Sequence, residues 1–242
     1  MASTIPNCRA YDPAFAYEVA AIVDEGMREM VERQRDVFYY VTVMNENYAQ
    51  PSVPGGDLET LREGILKGMY PLATEPDTTA QVQLLGAGAI LGEVIAAQRM
   101  LRDEWGIEAA VWSVTSFTEL QRDGMASERL ARLGETAPAP YVSTMLSASR
   151  GPVIAATDYV RAVPELIRAY VPRRYVTLGT DGFGRSDTRQ ALREFFEVDR
   201  ASIVIAALKA LADDGEIDMA IVRRASQKYG KVASESGAPW QR

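Results

Sequence analysis

The N-terminal part of the chain carries hydrophobic patterns typical of a strand, a helix and a second strand. Residues 4–11 are predicted to be extended, and Asp12 followed by Pro13 predicts a helix start with Asp12 as the N-cap. Apolar residues recur at steps of three and four over 15–30, which predicts an amphipathic helix. Residues 37–44 are rich in β-branched and aromatic side chains, which predicts a strand covered on both faces.

From Ala80 onward, short apolar runs alternate with amphipathic stretches. This alternation predicts an α/β fold, with a mainly parallel sheet between two layers of helices. The predicted strands are 82–85, 109–114, 153–156 and 175–178, and the predicted helices are 90–101, 118–133, 142–147, 159–170, 188–196, 200–212 and 219–229.

The stretch between these two parts is rich in proline and glycine, as linkers are. It also contains a predicted short helix at 58–66 and a predicted turn at Pro76-Asp77. The predicted divisions are an incomplete unit at 1–48, a linker at 49–79 and a second domain at 80–242. A strand–helix–strand unit leaves most of a sheet uncovered, so we expect the remainder of its domain to lie upstream.

The amino-acid composition argues against several classes of function. The 242 residues have a net charge of −7, which disfavours nucleic-acid partners. No stretch approaches the length of a membrane span, so we expect a soluble protein. Cys8 is the single cysteine, which excludes an internal disulfide, and we expect a small buried residue there. The chain has no histidine, which removes Ser–His and Cys–His catalysis and histidine-ligated metal sites.

A glycine motif lies at the first strand-to-helix turn of the second domain. Gly86 and Gly88, with Gly92 four residues later, resemble a dinucleotide-binding fingerprint. The spacing of the third glycine departs from that fingerprint, and no acid ends the next strand at 112–114. We therefore favour a tight turn for close strand–helix packing, with nucleotide binding as the alternative.

Two polar segments follow predicted strands, at the sheet edge where α/β proteins place ligands. The first contains Asn45, Glu46 and Asn47, which either reach a site or simply terminate the strand and cap its turn. The second is the loop 179–189, whose candidate residues are Asp181, Arg185, Ser186, Asp187 and Arg189. In this loop, Ser186 or Asp187 can cap the next helix, and the arginines can order an interface or contact a substrate or partner.

Several long strings carry a family resemblance. They are TIPNCRAYDPAFAYEVA at 4–20, FYYVTVMNENYAQP at 38–51, QLLGAGAIL at 83–91, VWSVTSFTELQRDG at 111–124, TDYVRAVPELIRAYVP at 157–172, GTDGFGRSDTR at 179–189 and FFEVD at 195–199. Together they resemble the C-terminal part of the homodimeric, thiamine-diphosphate-dependent pyruvate dehydrogenases. The resemblance implies the end of a pyrimidine-binding domain followed by a transketolase-like C-terminal domain.

The resemblance also implies a function for the full-length protein. Such enzymes decarboxylate pyruvate on thiamine diphosphate and Mg²⁺, and they acetylate the lipoyl group of dihydrolipoyl acetyltransferase. The diphosphate motif and the activating glutamate of the family are absent here. We therefore expect no catalytic residue, cofactor or metal on this chain, and no activity from the chain alone. We expect the full-length protein to be a homodimer in the bacterial cytoplasm, in which this part contributes dimer contacts and shapes the substrate channel. The alternatives are an assembly module that does not contact the active site and a nucleotide-binding oxidoreductase domain.

Overall fold

The computed structural model describes residues 2–73, 79–231 and 237–241. Its N-terminal unit contains a 3-10 turn at Ala2–Thr4, strand β1 at Cys8–Tyr11, helix α1 at Ala16–Met27 with a π-helical turn at Arg28–Glu32, and strand β2 at Phe38–Val41. The two strands are parallel, with Cys8 opposite Phe38 and Tyr11 opposite Val41. The predicted strand–helix–strand order is confirmed.

The start of α1 differs from the prediction. Asp12 does not cap the helix; its carboxylate instead accepts a hydrogen bond from the hydroxyl of Thr42. Phe15 is the N-cap residue, and the Glu18 side chain accepts hydrogen bonds from the N–H groups of Ala14 and Phe15, just before the first residue of α1. A glutamate in the first turn can do this because its side chain reaches back to free amides.

The prediction that β2 is covered on both faces was wrong. Tyr39 and Val41 pack against a small core that contains Ile22 of α1. Phe38 and Tyr40 point to the other face, and they are 43% and 56% exposed. The single helix of this unit covers one side of its two-stranded sheet, and on the other side β2 is exposed although Cys8 of β1 is buried.

Helix α2 at Leu58–Lys67 confirms the short helix predicted in the linker. The carboxylate of Asp57 caps it, and Gly68 ends it with a φ of 108°. Strand β3 at Met69–Pro71 follows directly and pairs with the large sheet. That sheet therefore begins inside the predicted linker, although the proposed division at 48 and 79 stays a prediction. The predicted turn at Pro76-Asp77 lies outside the described residues.

The large sheet has five strands in the order β3-β5-β4-β6-β7, with β3 antiparallel and the others parallel. The remaining strands are β4 at Val82–Gly86, β5 at Ala109–Val114, β6 at Val153–Ala156 and β7 at Tyr175–Leu178. The remaining helices are α3 at Leu91–Trp105, α4 at Phe117–Arg132, α5 at Tyr141–Ser147, α6 at Ala162–Glu165, α7 at Arg189–Phe195, α8 at Arg200–Asp213 and α9 at Met219–Lys228. Short 3-10 turns lie at Gly88–Ile90, Arg168–Tyr170 and Pro239–Gln241.

Two hydrophobic cores lie on opposite faces of this sheet. Alternate strand residues such as Leu84 and Ile154 pack with α3, α8 and α9. Their neighbours Leu85 and Ala155 pack with α4 and α5 on the other face. Because both faces are covered, the strands are buried throughout, and the predicted three-layer α/β/α fold is confirmed.

The predicted helix at 159–170 was largely wrong. The carbonyl of Tyr159 accepts from the amide of Thr180 at 2.8 Å, which ties this segment to the loop after β7. Pro164 has no amide hydrogen to donate to the carbonyl of Val160, which instead accepts from Val163 at 2.9 Å. The segment therefore forms the short helix α6 and a separate 3-10 turn.

Candidate functional site

Two segments that the sequence analysis singled out meet in the structure. Asn45 and Glu46 follow β2, and Arg189 begins α7. The Arg189 guanidinium donates to the Asn45 carbonyl, and its Nε lies 3.7 Å from the Glu46 carboxylate. Glu46 also accepts a 2.5 Å hydrogen bond from Nη2 of Arg193. Three of the eight candidate residues therefore share one cluster, although they come from distant parts of the sequence.

The other candidates take separate positions. Asp181 accepts a 2.9 Å hydrogen bond from the Arg161 amide, which anchors the base of the loop. The guanidinium of Arg185 lies over the Phe195 ring, 5.0 Å from its centroid. Asn47 and Ser186 are exposed.

The cap of α7 also differs from the prediction. Neither Ser186 nor Asp187 is the N-cap; the hydroxyl of Thr188 accepts a 3.3 Å hydrogen bond from the Ala191 amide. The Asp187 carboxylate instead accepts from the amide of Thr188 at 2.7 Å. A side chain one position too early satisfies the amide next to it and does not reach the free amides of the first turn.

Arg193 of α7 links the cluster to Glu93 of α3. Its Nη1 lies 3.4 Å from Glu93, whose carboxylate also accepts hydrogen bonds of 2.9 and 3.0 Å from the Arg200 guanidinium. Burial alone would raise the pKa of Glu93, but the hydrogen bonds from Arg200 outweigh it and lower that pKa. Charged hydrogen bonds between half-buried groups such as these fix the relative positions of α3, α7 and α8.

A second polar group was missed by the sequence analysis. Asp12 and Thr42 follow β1 and β2, and Asp158 and Tyr159 follow β6. The Oδ2 atom of Asp12 is buried without a hydrogen-bond partner. Burial raises the pKa of Asp12 to about 7, with smaller contributions from Asp158 and Glu18, against the lowering effect of the Thr42 hydrogen bond. Burial also raises the pKa of Asp158 and brings that of Tyr159 to about 12.

These residues lie at the carboxyl ends of parallel strands, the position at which α/β sheets hold ligands. The signal that could have found them is the polar residues close after each strand. The sequence analysis interprets Asp12 as a helix cap and does not single out Asp158, which precedes the helix predicted at 159–170. The two carboxyl groups follow strands of different sheets, so the packing of the two sheets brings them near each other.

A cleft of about 490 Å³ opens beside this group, between the two-stranded sheet and the second domain. Its walls are mainly apolar, and Asp12, Thr42 and Tyr159 lie among its lining residues. Cys8, which is 2% exposed, forms part of the wall, as expected for a small buried cysteine.

The glycine turn at the same edge is a packing feature. A Cβ atom on Gly86 would lie 2.8 Å from the Cα atom of Leu91. A Cβ atom on Gly88, whose φ is 51°, would lie 2.8 Å from Oδ2 of Asp12. Close strand–helix packing therefore accounts for Gly86 and Gly88, whereas Gly92 has open space around its Cα.

The part of the chain that the structure describes contains no group of three or more His, Cys, Asp or Glu side chains that could hold a metal ion. In the same described residues, no helix is both long and apolar enough to cross a membrane.

Two family models match separate parts of the chain. The family model for the middle domain of the pyruvate dehydrogenase E1 component matches residues 1–51. The family model for the transketolase-like C-terminal domain matches residues 68–199 and includes β3 through α7.

Curated relatives are described as the pyruvate dehydrogenase E1 component. The chain is 56% identical to the protein from Pseudomonas aeruginosa over 95% of this chain and 26% of the relative. It is 48% identical to the Escherichia coli K12 protein, over 93% of this chain and 25% of the relative. It is 46% identical to the Mycobacterium tuberculosis protein, over 100% of this chain and 26% of the relative. The chain thus spans about a quarter of the length of the curated relatives it matches.

Several solved structures that share this fold are transketolases. The transketolase from Leishmania mexicana superposes with a TM-score of 0.60 at 17% identity, over 88% of this chain and 26% of that one. A chain described as a split-gene transketolase in an inactive β4 tetramer superposes with a TM-score of 0.51 at 20% identity, over 87% of this chain and 59% of that one.

Proposed function

Because the chain belongs to the family of transketolase-like C-terminal domains and continues from an E1 middle-domain segment, we propose that it is part of a pyruvate dehydrogenase E1 component. The whole enzyme would decarboxylate pyruvate on thiamine diphosphate and acetylate the lipoyl group of dihydrolipoyl acetyltransferase. It would act as a homodimer in the bacterial cytoplasm. The observation that carries the proposal is the tandem match of an E1 middle-domain model and a transketolase-like C-terminal-domain model along one chain.

We propose that the cofactor site lies on another part of the enzyme, because the diphosphate motif and the activating glutamate of the resembled family are absent from this sequence. We therefore assign no chemical step to this chain. Thiamine diphosphate supplies the carbanion chemistry when it is bound, and it would have to be held by another part of the enzyme.

The proposed contribution of this chain is architectural. Glu46, Arg189 and Arg193 hold the segment after β2 against α7, so they would fix the middle domain on the C-terminal domain. We propose that this cluster and the exposed loop that follows β7 shape the approach of substrate to the active site. The residues proposed for this role are Asn45, Glu46, Asn47, Asp181, Arg185, Ser186, Asp187 and Arg189.

A first experiment tests whether the chain acts alone. The purified chain is incubated with pyruvate, thiamine diphosphate and Mg²⁺, and carbon dioxide release is measured. We expect release at the background rate, in line with the inactive tetramer described for the split-gene transketolase. Decarboxylation well above background would show that a complete active centre lies on this chain.

A second experiment tests the E1 assignment directly. The chain is mixed with a polypeptide that carries the remaining part of the Pseudomonas aeruginosa relative. We expect pyruvate-dependent reductive acetylation of a lipoyl domain to appear in the mixture and in neither component. If Arg185→Ala and Arg189→Ala restored activity as fully as the unchanged chain, these two arginines would not shape the approach of substrate.

A further inference from the structure

The loop that follows β7 is held at both of its ends. At its start, the Asp181 carboxylate accepts a 2.9 Å hydrogen bond from the Arg161 amide. At its end, the Arg189 guanidinium donates to the Asn45 carbonyl. Residues 182–188, between these two anchors, are all exposed. Exposed segments with few contacts open easily, so the conformation of this part depends on the contacts that it makes near its start.

The segment 237–241, which we call the strap, packs on the start of this loop. Two hydrogen bonds make the strap a compact turn: the Ala238 amide donates to Oε1 of Gln241 at 2.9 Å, and the Gln241 amide donates to the Ala238 carbonyl at 2.8 Å. Gly182, whose φ is 105°, comes so close that a Cβ atom on it would lie 3.0 Å from the Pro239 carbonyl oxygen. Pro239 itself is buried. The strap and the loop are therefore in direct contact.

Trp240 of the strap adds a contact to the charged anchor of the loop. The Cζ atom of Arg161 lies over the Trp240 ring, 5.7 Å from its centroid. The Nε atom of Arg161 is buried without a hydrogen-bond partner, and it lies 3.8 Å from the Asp181 carboxylate. A guanidinium is attracted to the face of an indole ring, and the attraction is stronger where water is excluded. Trp240 therefore holds the Arg161 side chain beside Asp181.

Two side chains further along the loop depend on this arrangement. Phe183 follows Gly182 directly and is 80% exposed. The Arg185 guanidinium lies over the ring of Phe195 in α7, 5.0 Å from its centroid. Because the chain reaches both residues through Gly182, the contact between Gly182 and the strap sets the direction in which they leave the fold.

We propose that the strap fixes the start of the loop 179–189 and that Trp240 is a positioning residue, which acts through Arg161. Its indole ring keeps Arg161 beside Asp181, and the loop then presents Phe183 and Arg185 in one orientation. The same loop is proposed above to shape the approach of substrate, so this inference rests on the proposed function. It adds to that function a residue that lies more than fifty positions further along the chain than the loop.

Limited digestion with trypsin tests the strap, because trypsin cleaves after Arg185 and a native loop is cut in proportion to its opened population. Mass spectrometry gives the initial rate of cleavage at this bond. We expect Trp240→Leu to be cleaved at least about five-fold faster than the unchanged chain, since leucine is apolar but has no aromatic face. Trp240→Phe keeps an aromatic face and should restore most of the slow cleavage.

A second variant tests whether Trp240 acts through Arg161. Arg161→Gln removes the cation but keeps the backbone amide that binds Asp181, and we expect it to speed cleavage as well. Trp240→Leu should add little to Arg161→Gln, because the pair is already broken. Met125→Leu on α4 is the matched control, because Met125 and Trp240 are both 53% exposed. Its rate of cleavage after Arg185 should equal that of the unchanged chain.

Circular dichroism and thermal unfolding show which variants are folded, and the folded variants are compared. The inference is overturned if Trp240→Leu is cleaved at the rate of the unchanged chain, or if Trp240→Phe is cleaved as fast as Trp240→Leu. Fully additive effects of Trp240→Leu and Arg161→Gln would also overturn it. Digestion needs no enzymatic activity, so fast cleavage of Trp240→Leu in a chain that has no E1 activity with its relative would support the strap and contradict the proposed function.

Discussion

The hydroxyl of Tyr70 in β3 donates a 2.5 Å hydrogen bond to Oε1 of the buried Glu18 in α1. Ser113 of β5 donates to the same oxygen at 2.6 Å, and two backbone amides at the start of α1 donate to the other oxygen. Burial raises the pKa of Glu18, although these hydrogen bonds oppose the effect. One carboxyl group thus joins the N-terminal unit to the large sheet.

Replacing Glu18 tests this junction. Glu18→Leu leaves the Ser113 hydroxyl and the amides of Ala14 and Phe15 without that acceptor in a buried site, whereas the Tyr70 hydroxyl keeps its 2.7 Å hydrogen bond with the Tyr17 hydroxyl. Each unsatisfied group costs about 1–3 kcal/mol, so we expect the free energy of unfolding to fall by at least about 3 kcal/mol. Glu18→Gln keeps an acceptor oxygen and should cost less than half as much. Urea denaturation measures both values, and equal losses for the two variants would contradict the hydrogen-bonding role.

Asp12 should make stability depend on pH. Its pKa is 3.8 ordinarily and about 7 in the folded chain, so the folded state binds the proton more tightly than the unfolded state. Proton binding by Asp12 therefore stabilises the folded state. This contribution to the free energy of unfolding is complete below about pH 4, is lost as the pH rises through about 7, and amounts to at most about 4 kcal/mol.

The variant Asp12→Asn removes this dependence. We expect its free energy of unfolding to fall less than that of the unchanged chain between about pH 4 and about pH 7. Urea denaturation at several pH values in this range gives the slope of the free energy of unfolding against pH for the variant and for the unchanged chain. Parallel slopes would mean that the Asp12 carboxyl group is not perturbed by burial.

The glycine turn predicts opposite effects at two neighbouring positions. Gly88→Ala would strain a backbone with φ 51° and place Cβ against the Asp12 carboxylate, so we expect a loss of about 1–3 kcal/mol. Gly92→Ala meets open space at the start of α3, and higher helix propensity should stabilise the chain by up to about 1 kcal/mol. Thermal unfolding shows whether each variant is less or more stable than the unchanged chain. A stabilising Gly88→Ala would contradict the close packing of this turn.

The Glu46–Arg193 pair should contribute more than an ordinary surface ion pair. Its side chains are 20% and 17% exposed, and a charged hydrogen bond of this kind is worth about 1.5–3 kcal/mol. A double-mutant cycle with alanine at both positions measures the coupling energy. The matched control is the Lys67–Glu63 pair, with side chains 49% and 62% exposed, for which we expect about 0.5 kcal/mol or less. Similar coupling energies for the two pairs would show that Glu46 does not fix the segment after β2.

Much of the second domain followed from local pattern. Its parallel strands and most of its helices lie close to the ranges predicted from the sequence, because each buried strand is a short apolar run and each helix has an apolar stripe. The main failure, at 159–170, arose because Pro164 and the hydrogen bond from Thr180 to Tyr159 compete with helix formation. Strand β3 was missed because three residues carry too weak a periodic signal, and its pairing with β5 defines it.

The sequence by itself determined the α/β class, the order of the elements and the family resemblance, since these depend on local pattern and on ordered strings of residues. It also indicated polar segments at strand ends, including Asn45, Glu46 and Arg189. The tertiary structure alone decided which of them meet, that Asp12 is a buried carboxyl group and no helix cap, and that β2 keeps an exposed face. Those outcomes depend on which distant strands pair and which helices cover them. Such pairing and covering arise from the packing of the whole chain and cannot be deduced from a short stretch of sequence.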